Sequence, residues 1–173
     1  MPEPTAPIPP HVPPGPDAPA GVLVVDDNEQ NLELLQAYLD ELGSPVRLAR
    51  SGLEALDAVR TEPPDLILLD VMMPRMSGFQ VCEKIKKDPA TRDIPIVMVT
   101  ALNEVADAER AVEVGADDFL TKPVNRLELV TRVRSLLRVR RLNRELARTQ
   151  DQVRRLSSQG EDPFSRPRPS PRP

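Results

Sequence analysis

Asp65-Leu66-Ile67-Leu68-Leu69-Asp70-Val71-Met72-Met73-Pro74 is the stretch on which the fold turns. Leu66 to Leu69 form a short apolar run, with Pro63-Pro64 before it and Pro74 after it. Such a run, bounded by turn signals, suits a strand buried on both faces of a parallel sheet. Asp70 then stands where that strand leaves the sheet at its carboxyl end. In open α/β sheets that edge is where ligands bind. A carboxylate there is solvated enough to react and held firmly enough to be aimed.

Working outward, the same pattern recurs. Val22-Leu23-Val24-Val25 is a second buried run, and it ends in Asp26-Asp27. Leu32, Leu34, Leu35, Tyr38, Leu39 and Leu42 then follow at helical spacing, with Gly43 as the stop. Val46 to Ala49 alternates, as a strand nearer a sheet edge would. Ser51 with Glu54 predicts a capping box for a helix running to Thr61. After the central strand, Gly78 opens a helix through Val81, Cys82, Ile85 and Lys86, broken by Asp88-Pro89. Ile94 to Val99 predicts a fourth strand ending at Thr100, with Pro95 tolerable near its start. Glu104 to Val114 predicts a helix closed by Gly115. Asp117 to Thr121 predicts a short fifth strand ending at Lys122-Pro123, and Asn125 caps a last helix. Five strand–helix units predict a doubly wound α/β fold: a parallel sheet with helices on both faces, joined by right-handed crossovers.

Four strands thereby end in polar residues at one edge: Asp26-Asp27, Asp70, Thr100 and Lys122. Three carboxylates crowded together repel, and at least one should take up a proton in isolation. A hard divalent cation relieves the repulsion better, and Mg²⁺ prefers a few carboxylate oxygens plus retained waters. Asp26, Asp27 and Asp70 therefore read as a Mg²⁺ site, with the carbonyl of Met72 in the following turn as a further ligand. Lys122 can pair with Asp70 and then with an anion bound there, and Thr100 offers a hydroxyl. These are the parts that stabilise a phosphoryl group in transfer. Asp70 itself can be the nucleophile and become an aspartyl phosphate.

Taken together, Val-Leu-Val-Val-Asp-Asp-Asn, Leu-Ile-Leu-Leu-Asp-Val-Met-Met-Pro with Gly78, Val-Met-Val-Thr-Ala and Gly-Ala-Asp-Asp-Phe-Leu-Thr-Lys-Pro resemble the receiver domain of bacterial two-component response regulators. The resemblance spans Gly21 to Leu137, with its motifs in the right order. It implies a flavodoxin-like (βα)5 sheet of strand order 2-1-3-4-5 and a sensor histidine kinase as phosphoryl donor. It implies Asp70 as phosphoacceptor, Asp26 and Asp27 as Mg²⁺ ligands, and Lys122 as the phosphate's partner. Thr100 and Phe119 take the place of the switch pair, and Lys122-Pro123 that of a bond usually cis in the family. Phosphorylation would draw Thr100 inward, let Phe119 turn into the space and remodel the face of the fourth helix, fifth strand and fifth helix.

Composition sets the limits. Of 21 prolines in 173 residues, nine precede Gly21 and five follow Asp162, so residues 1–20 and 158–173 read as extended tails flanking a receiver domain over 21–138. A net charge of −4 favours neither nucleic acid nor a membrane surface. Cys82, the only cysteine, precludes an internal disulfide and reads as a buried small hydrophobe; one cysteine and one histidine make a zinc site untenable. No apolar run reaches membrane-span length, and prolines stand where a signal peptide has its apolar core. The expectation is a cytoplasmic protein.

Residues 139–157 read as an extension of the last helix, about 50 Å long from Asn125 at 1.5 Å per residue. Val139, Leu142, Leu146, Thr149, Val153 and Leu156 are spaced 3, 4, 3, 4, 3, a heptad seam with Val139, Leu146 and Val153 at a and Leu142 and Leu156 at d. β-branched a with Leu d predicts a parallel two-stranded coiled coil. Arg140, Arg141, Arg144, Arg148, Arg154 and Arg155 are expected to face outward, without a helix-turn-helix or aromatic platform to suggest nucleic acid.

The expected function is a phosphorylation-controlled relay module, not an enzyme, acting on an unknown downstream protein. Two rivals stand beside it. A phosphatase of the haloacid dehalogenase type needs a general acid two residues after its nucleophile, where this chain has Met72. An adaptor would dimerise without ever taking phosphate. A dinucleotide site would need a Gly-rich loop after the first strand, which is missing.

Overall fold

The computed structural model describes residues 21–101 and 105–159. Residues 1–20, 160–173 of the tail expected over 158–173, and Glu104 as a helix start lie outside the described residues, while Ser158 and Gln159 belong to the last helix and not to that tail. The apolar runs become strands β1 (Val22–Val25), β2 (Val46–Ala49), β3 (Leu66–Asp70), β4 (Ile96–Thr100) and β5 (Asp118–Thr121). All pair in parallel, in the order β2-β1-β3-β4-β5. Helices α1 (Glu29–Leu39), α2 (Gly52–Thr61), α3 (Gly78–Lys87), α4 (Val105–Glu113) and α5 (Arg126–Gln159) complete the flavodoxin-like (βα)5 architecture.

Continuous apolar strands make two cores because side chains alternate across a sheet. Leu23, Val25, Ile67, Leu69, Ile96 and Met98 point to one face, where they meet Ala55, Val59, Val81, Cys82 and Ile85 of α2 and α3. Val22, Val24, Leu66, Leu68, Val97 and Val99 point to the other, against Leu32, Leu35 and Leu39 of α1 and Leu129 and Val133 of α5. Each apolar side chain in β1 and β3 is essentially removed from water, which at roughly 1.5–3 kcal/mol apiece is the main force fixing the strand register.

Local differences from expectation have local causes. The last turn of the first helix tightens to a 3-10 turn over Asp40–Leu42 before Gly43 turns left-handed at φ 62°. β2 is the sheet edge as expected, but Val46, Arg47 and Leu48 are all half-buried, so its alternation is blurred. β4 starts at Ile96, after Pro95, and β5 at Asp118. The amide of Glu54 donates to Ser51 Oγ at 3.2 Å, but the Glu54 carboxylate accepts from the Arg50 amide at 2.8 Å, so the expected box is shifted by one residue. A reciprocal box does form at α3, between Ser77 and Gln80. Asn125 caps α5 through the Glu128 amide at 3.0 Å, as expected.

The described residues up to Arg140 form one compact unit, and those from Arg141 form a second. Arg140 is a correction: its Nη1 donates to the Asp93 carbonyl at 2.8 Å, so it lies against the domain instead of facing outward. The helical second unit leaves Leu142, Leu146, Val153 and Leu156 each more than half exposed, and Val139 just before it is half exposed.

Candidate metal and phosphoryl site

The register delivers the four strand ends to one edge. Val25 of β1 lies beside Leu69 of β3, which puts Asp26 next to Asp70. Asp70 in turn pairs with Val99, and Thr100 with Thr121, so Thr100 and Lys122 arrive from the other side. The Lys122 amide donates to the Thr100 carbonyl at 2.7 Å. Asp26 and Asp70 are buried, whereas Asp27 is exposed, and one oxygen from each of the three lies within 4.8 Å of the others.

Lys122 holds this cluster together. Its Nζ sits 2.8 Å from Asp70 Oδ1 and 2.9 Å from Asp26 Oδ2. Burial works against the Lys122 ammonium, yet its hydrogen bonds to Asp70 and Asp26 outweigh this and hold it above the ordinary lysine value. Burial pushes the Asp70 carboxyl up; Lys122 opposes the shift, and the charges of Asp26 and Asp27 add to it. The edge thus carries more negative charge than one ammonium neutralises. The donor set is all hard oxygen, which suits Mg²⁺ and not a softer metal. The residues present fit that ion, with Asp26, Asp27 and Asp70 as the residues that would hold it.

The backbone beyond Asp70 is built around a close approach. Gly78 donates its N–H to the Val71 carbonyl at 3.0 Å and opens α3. Arg75, in the intervening turn, takes a left-handed φ of 67° without being glycine. Met72 lies in this turn with its side chain 62% exposed. Thr100 is buried at the end of β4. Phe119 is 42% exposed on β5, so it faces away from the core. The Lys122-Pro123 peptide is cis, as the resemblance implied.

Two features escaped the sequence. Asn28 caps α1 through the amides of Gln30 and Asn31 at 2.9 and 3.3 Å, while its own amide donates to Asp26 Oδ1 at 2.8 Å. Asn31, from the first turn of α1, reaches back with Nδ2 to Asp26 Oδ1 at 3.2 Å and Oδ2 at 3.0 Å. An amide one helical turn after an acidic strand end was the available signal. At the rim, Arg50 grips Glu29 with Nε and Nη2, both at 2.8 Å, tying the end of β2 to the start of α1.

This sheet and this edge define a phosphorylation-controlled signalling domain, and the comparisons agree. Residues 22–134 match the response regulator receiver domain family, and the chain belongs to it. Response regulator PleD of Caulobacter vibrioides is 47% identical over 137 residues, covering 79% of this chain and 30% of PleD. The chain spans between 30% and 48% of the length of such curated relatives. The signal receiver domain of a signal transduction histidine kinase from Syntrophus aciditrophicus superposes at a TM-score of 0.64, with 38% identity, over 68% of this chain and 89% of that one. A BeF3-activated DrrB receiver domain gives 0.64 at 30% identity, over 69% and 98%. The acidic cluster is the Mg²⁺ site of a receiver domain, the place where such domains are activated by phosphorylation from a histidine kinase. Among the described residues, no helix is long and apolar enough to cross a membrane.

Proposed function

We propose that Asp70 is the phosphoacceptor of this chain. The observation that carries the assignment is the geometry of Lys122, whose ammonium bridges Asp70 and Asp26 at 2.8 and 2.9 Å beside a third carboxylate. In transfer from a phosphohistidine, the Asp70 carboxylate forms a bond to phosphorus as the phosphorus–nitrogen bond breaks, and the leaving imidazole takes up a proton from water. Asp26, Asp27 and Asp70, with the Met72 carbonyl, would hold Mg²⁺, which would supply positive charge to the phosphoryl oxygens. Lys122 moves its hydrogen bond from Asp70 to the new phosphate, and the Thr100 hydroxyl donates to another oxygen.

Phe119 is the readout. Its exposed ring fits the arrangement before phosphorylation, and Thr100 moving toward phosphate gives it room to turn inward. The face of α4, β5 and α5 then changes shape for an unknown downstream protein. A sensor histidine kinase in the cytoplasm is the donor. The exposed seam of Val139, Leu142, Leu146, Val153 and Leu156 supports a parallel homodimer. The domain is a relay and not an enzyme that turns over foreign esters. Met72 stands where a phosphatase of the rival type has its acid.

Acetyl phosphate with Mg²⁺ tests the assignment. Intact-mass analysis should show one added phosphoryl group, lost on treatment with hydroxylamine and absent from Asp70→Asn. Labelling of the Asp70→Asn chain to the wild-type level would refute it, and no labelling of a folded wild type would favour the adaptor reading.

A further inference from the structure

Asp26 carries an acceptor load that nothing so far accounts for. A carboxylate offers about four lone-pair positions, and here four donor contacts reach it. The Asn28 amide and Asn31 Nδ2 meet Oδ1; Asn31 Nδ2 and Lys122 Nζ meet Oδ2. The donors are not equivalent. Lys122 is charged and shared with Asp70, so it is the one that an incoming cation displaces from Asp26. Asn31 is neutral and adds no repulsion against a cation. It is also rigidly placed, because its backbone amide is held at the capped start of α1 by Asn28. Asn28 already caps that helix end, so the Asn31 amide group is spare for another task.

From these contacts we propose that Asn31 is a positioning residue for the Mg²⁺ site, gripping both oxygens of Asp26 so that the carboxylate keeps one orientation toward Asp27 and Asp70. The inference rests on the Mg²⁺ reading of the acidic cluster. With Asn31 present, the carboxylate plane is fixed from the helix side and Lys122 alone need move when the cation enters. Without it, the buried Asp26 side chain turns to find other donors, chiefly Lys122, and the three oxygens no longer face one point. Outer hydrogen bonds of this kind commonly set metal affinity.

The test uses the full chain with Asn31→Leu, which keeps the side-chain size and does not lower helix propensity but removes the donor. Mg²⁺ alone is titrated by calorimetry, thermal unfolding is followed without metal, and the acetyl phosphate rate is measured across Mg²⁺ concentrations. The expected result is Mg²⁺ affinity weakened about tenfold. The phosphorylation rate at saturating Mg²⁺ should stay within about twofold of wild type, an effect on cation binding and not on transfer. Unchanged or tighter Mg²⁺ binding by the folded variant overturns the proposal, whatever happens to its melting temperature. If Asn31→Leu does not fold, Asn31→Ala is read by the same criteria. A wild-type chain that binds no Mg²⁺ would remove the metal site itself and this inference with it; wild-type binding matched by the variant removes the inference alone.

Discussion

A Cβ placed on Gly78 would lie 2.2 Å from the carbonyl oxygen of Asp70, and 3.0 Å from the Asp70 carbonyl carbon and Val71 Cα. The first turn of α3 is therefore packed directly on the backbone of the reactive strand end. No flexible side chain stands between them to give way. Any residue other than glycine must push α3 away from β3 at the point where Asp70 is aimed.

Gly78→Ala should accordingly cost about 1–3 kcal/mol, the range for forcing a methyl into a packed site. Urea unfolding measures it. The acetyl phosphate rate should fall as well, because the displaced atom belongs to Asp70 itself. A variant as stable and as fast as wild type would show that this contact is not fixed.

Asp70→Asn should stabilise the metal-free domain at neutral pH. Burial raises the Asp70 carboxyl, with Asp26 and Asp27 adding to the shift against Lys122. The folded state thus holds the Asp70 proton more tightly than the unfolded chain does. Its contribution to stability is full below the unfolded value near 3.8 and is lost as pH rises through the higher folded value. Asparagine stays neutral, so its advantage appears above that window and shrinks in acid. Added Mg²⁺ should reverse the order by stabilising the wild type more than the variant, which keeps only two of the three carboxylates. Thermal melts at pH 4 and pH 7, with and without Mg²⁺, read both effects.

Cys82 should be inert in the folded chain. It is fully buried on α3, its Sγ 3.6 Å from the Val114 carbonyl, and burial pushes the thiol up to about 11 from an ordinary 9.0. Iodoacetamide at pH 8 should modify it only after unfolding. Because the folded value is the higher one, Cys82 contributes nothing adverse below pH 9 and costs about 2–3 kcal/mol by pH 11. Cys82→Ala should lose that pH-dependent part while carrying a constant packing loss. Equal alkaline slopes for the two chains would contradict the shift.

Leu146→Glu should dissociate the proposed homodimer. Leu146 is 58% exposed at the middle of the seam, where a charge is tolerated in a single helix but not at a paired a position. Sedimentation should give a dimer mass for wild type and a monomer mass for the variant, with the receiver's melting unchanged. Equal masses for both chains would remove the coiled-coil reading.

Much of this molecule was legible in its order of residues. Short apolar runs sufficed for β1, β3 and β4, since burial on both faces leaves little choice of residue type, while β2 was legible from its alternation and β5 from the short stretch before Lys122-Pro123. Asp26, Asp27, Asp70, Thr100 and Lys122 could be named because each stands at the carboxyl end of an expected strand. The helix stops at Gly43, Pro63 and Asp88-Pro89 were equally plain, being local backbone effects.

Other features depended on parts of the chain far apart in sequence. That Lys122 bridges Asp70 and Asp26 together needed the β1–β3–β4–β5 register, which brings residues 96 positions apart within a hydrogen bond. The docking of Arg140 on Asp93 needed the path of α5 over the domain. Asn31 looks in sequence like any polar residue at a helix start, and Gly78 like any helix opener; only the folded neighbours give one a carboxylate to hold and the other a carbonyl to clear. The sequence by itself determined which residues would be buried and which would end strands, because solvation acts residue by residue. Tertiary structure alone decided which strand ends share a cation and which donors saturate them, because hydrogen bonds and charge act through distances that only the packed sheet creates.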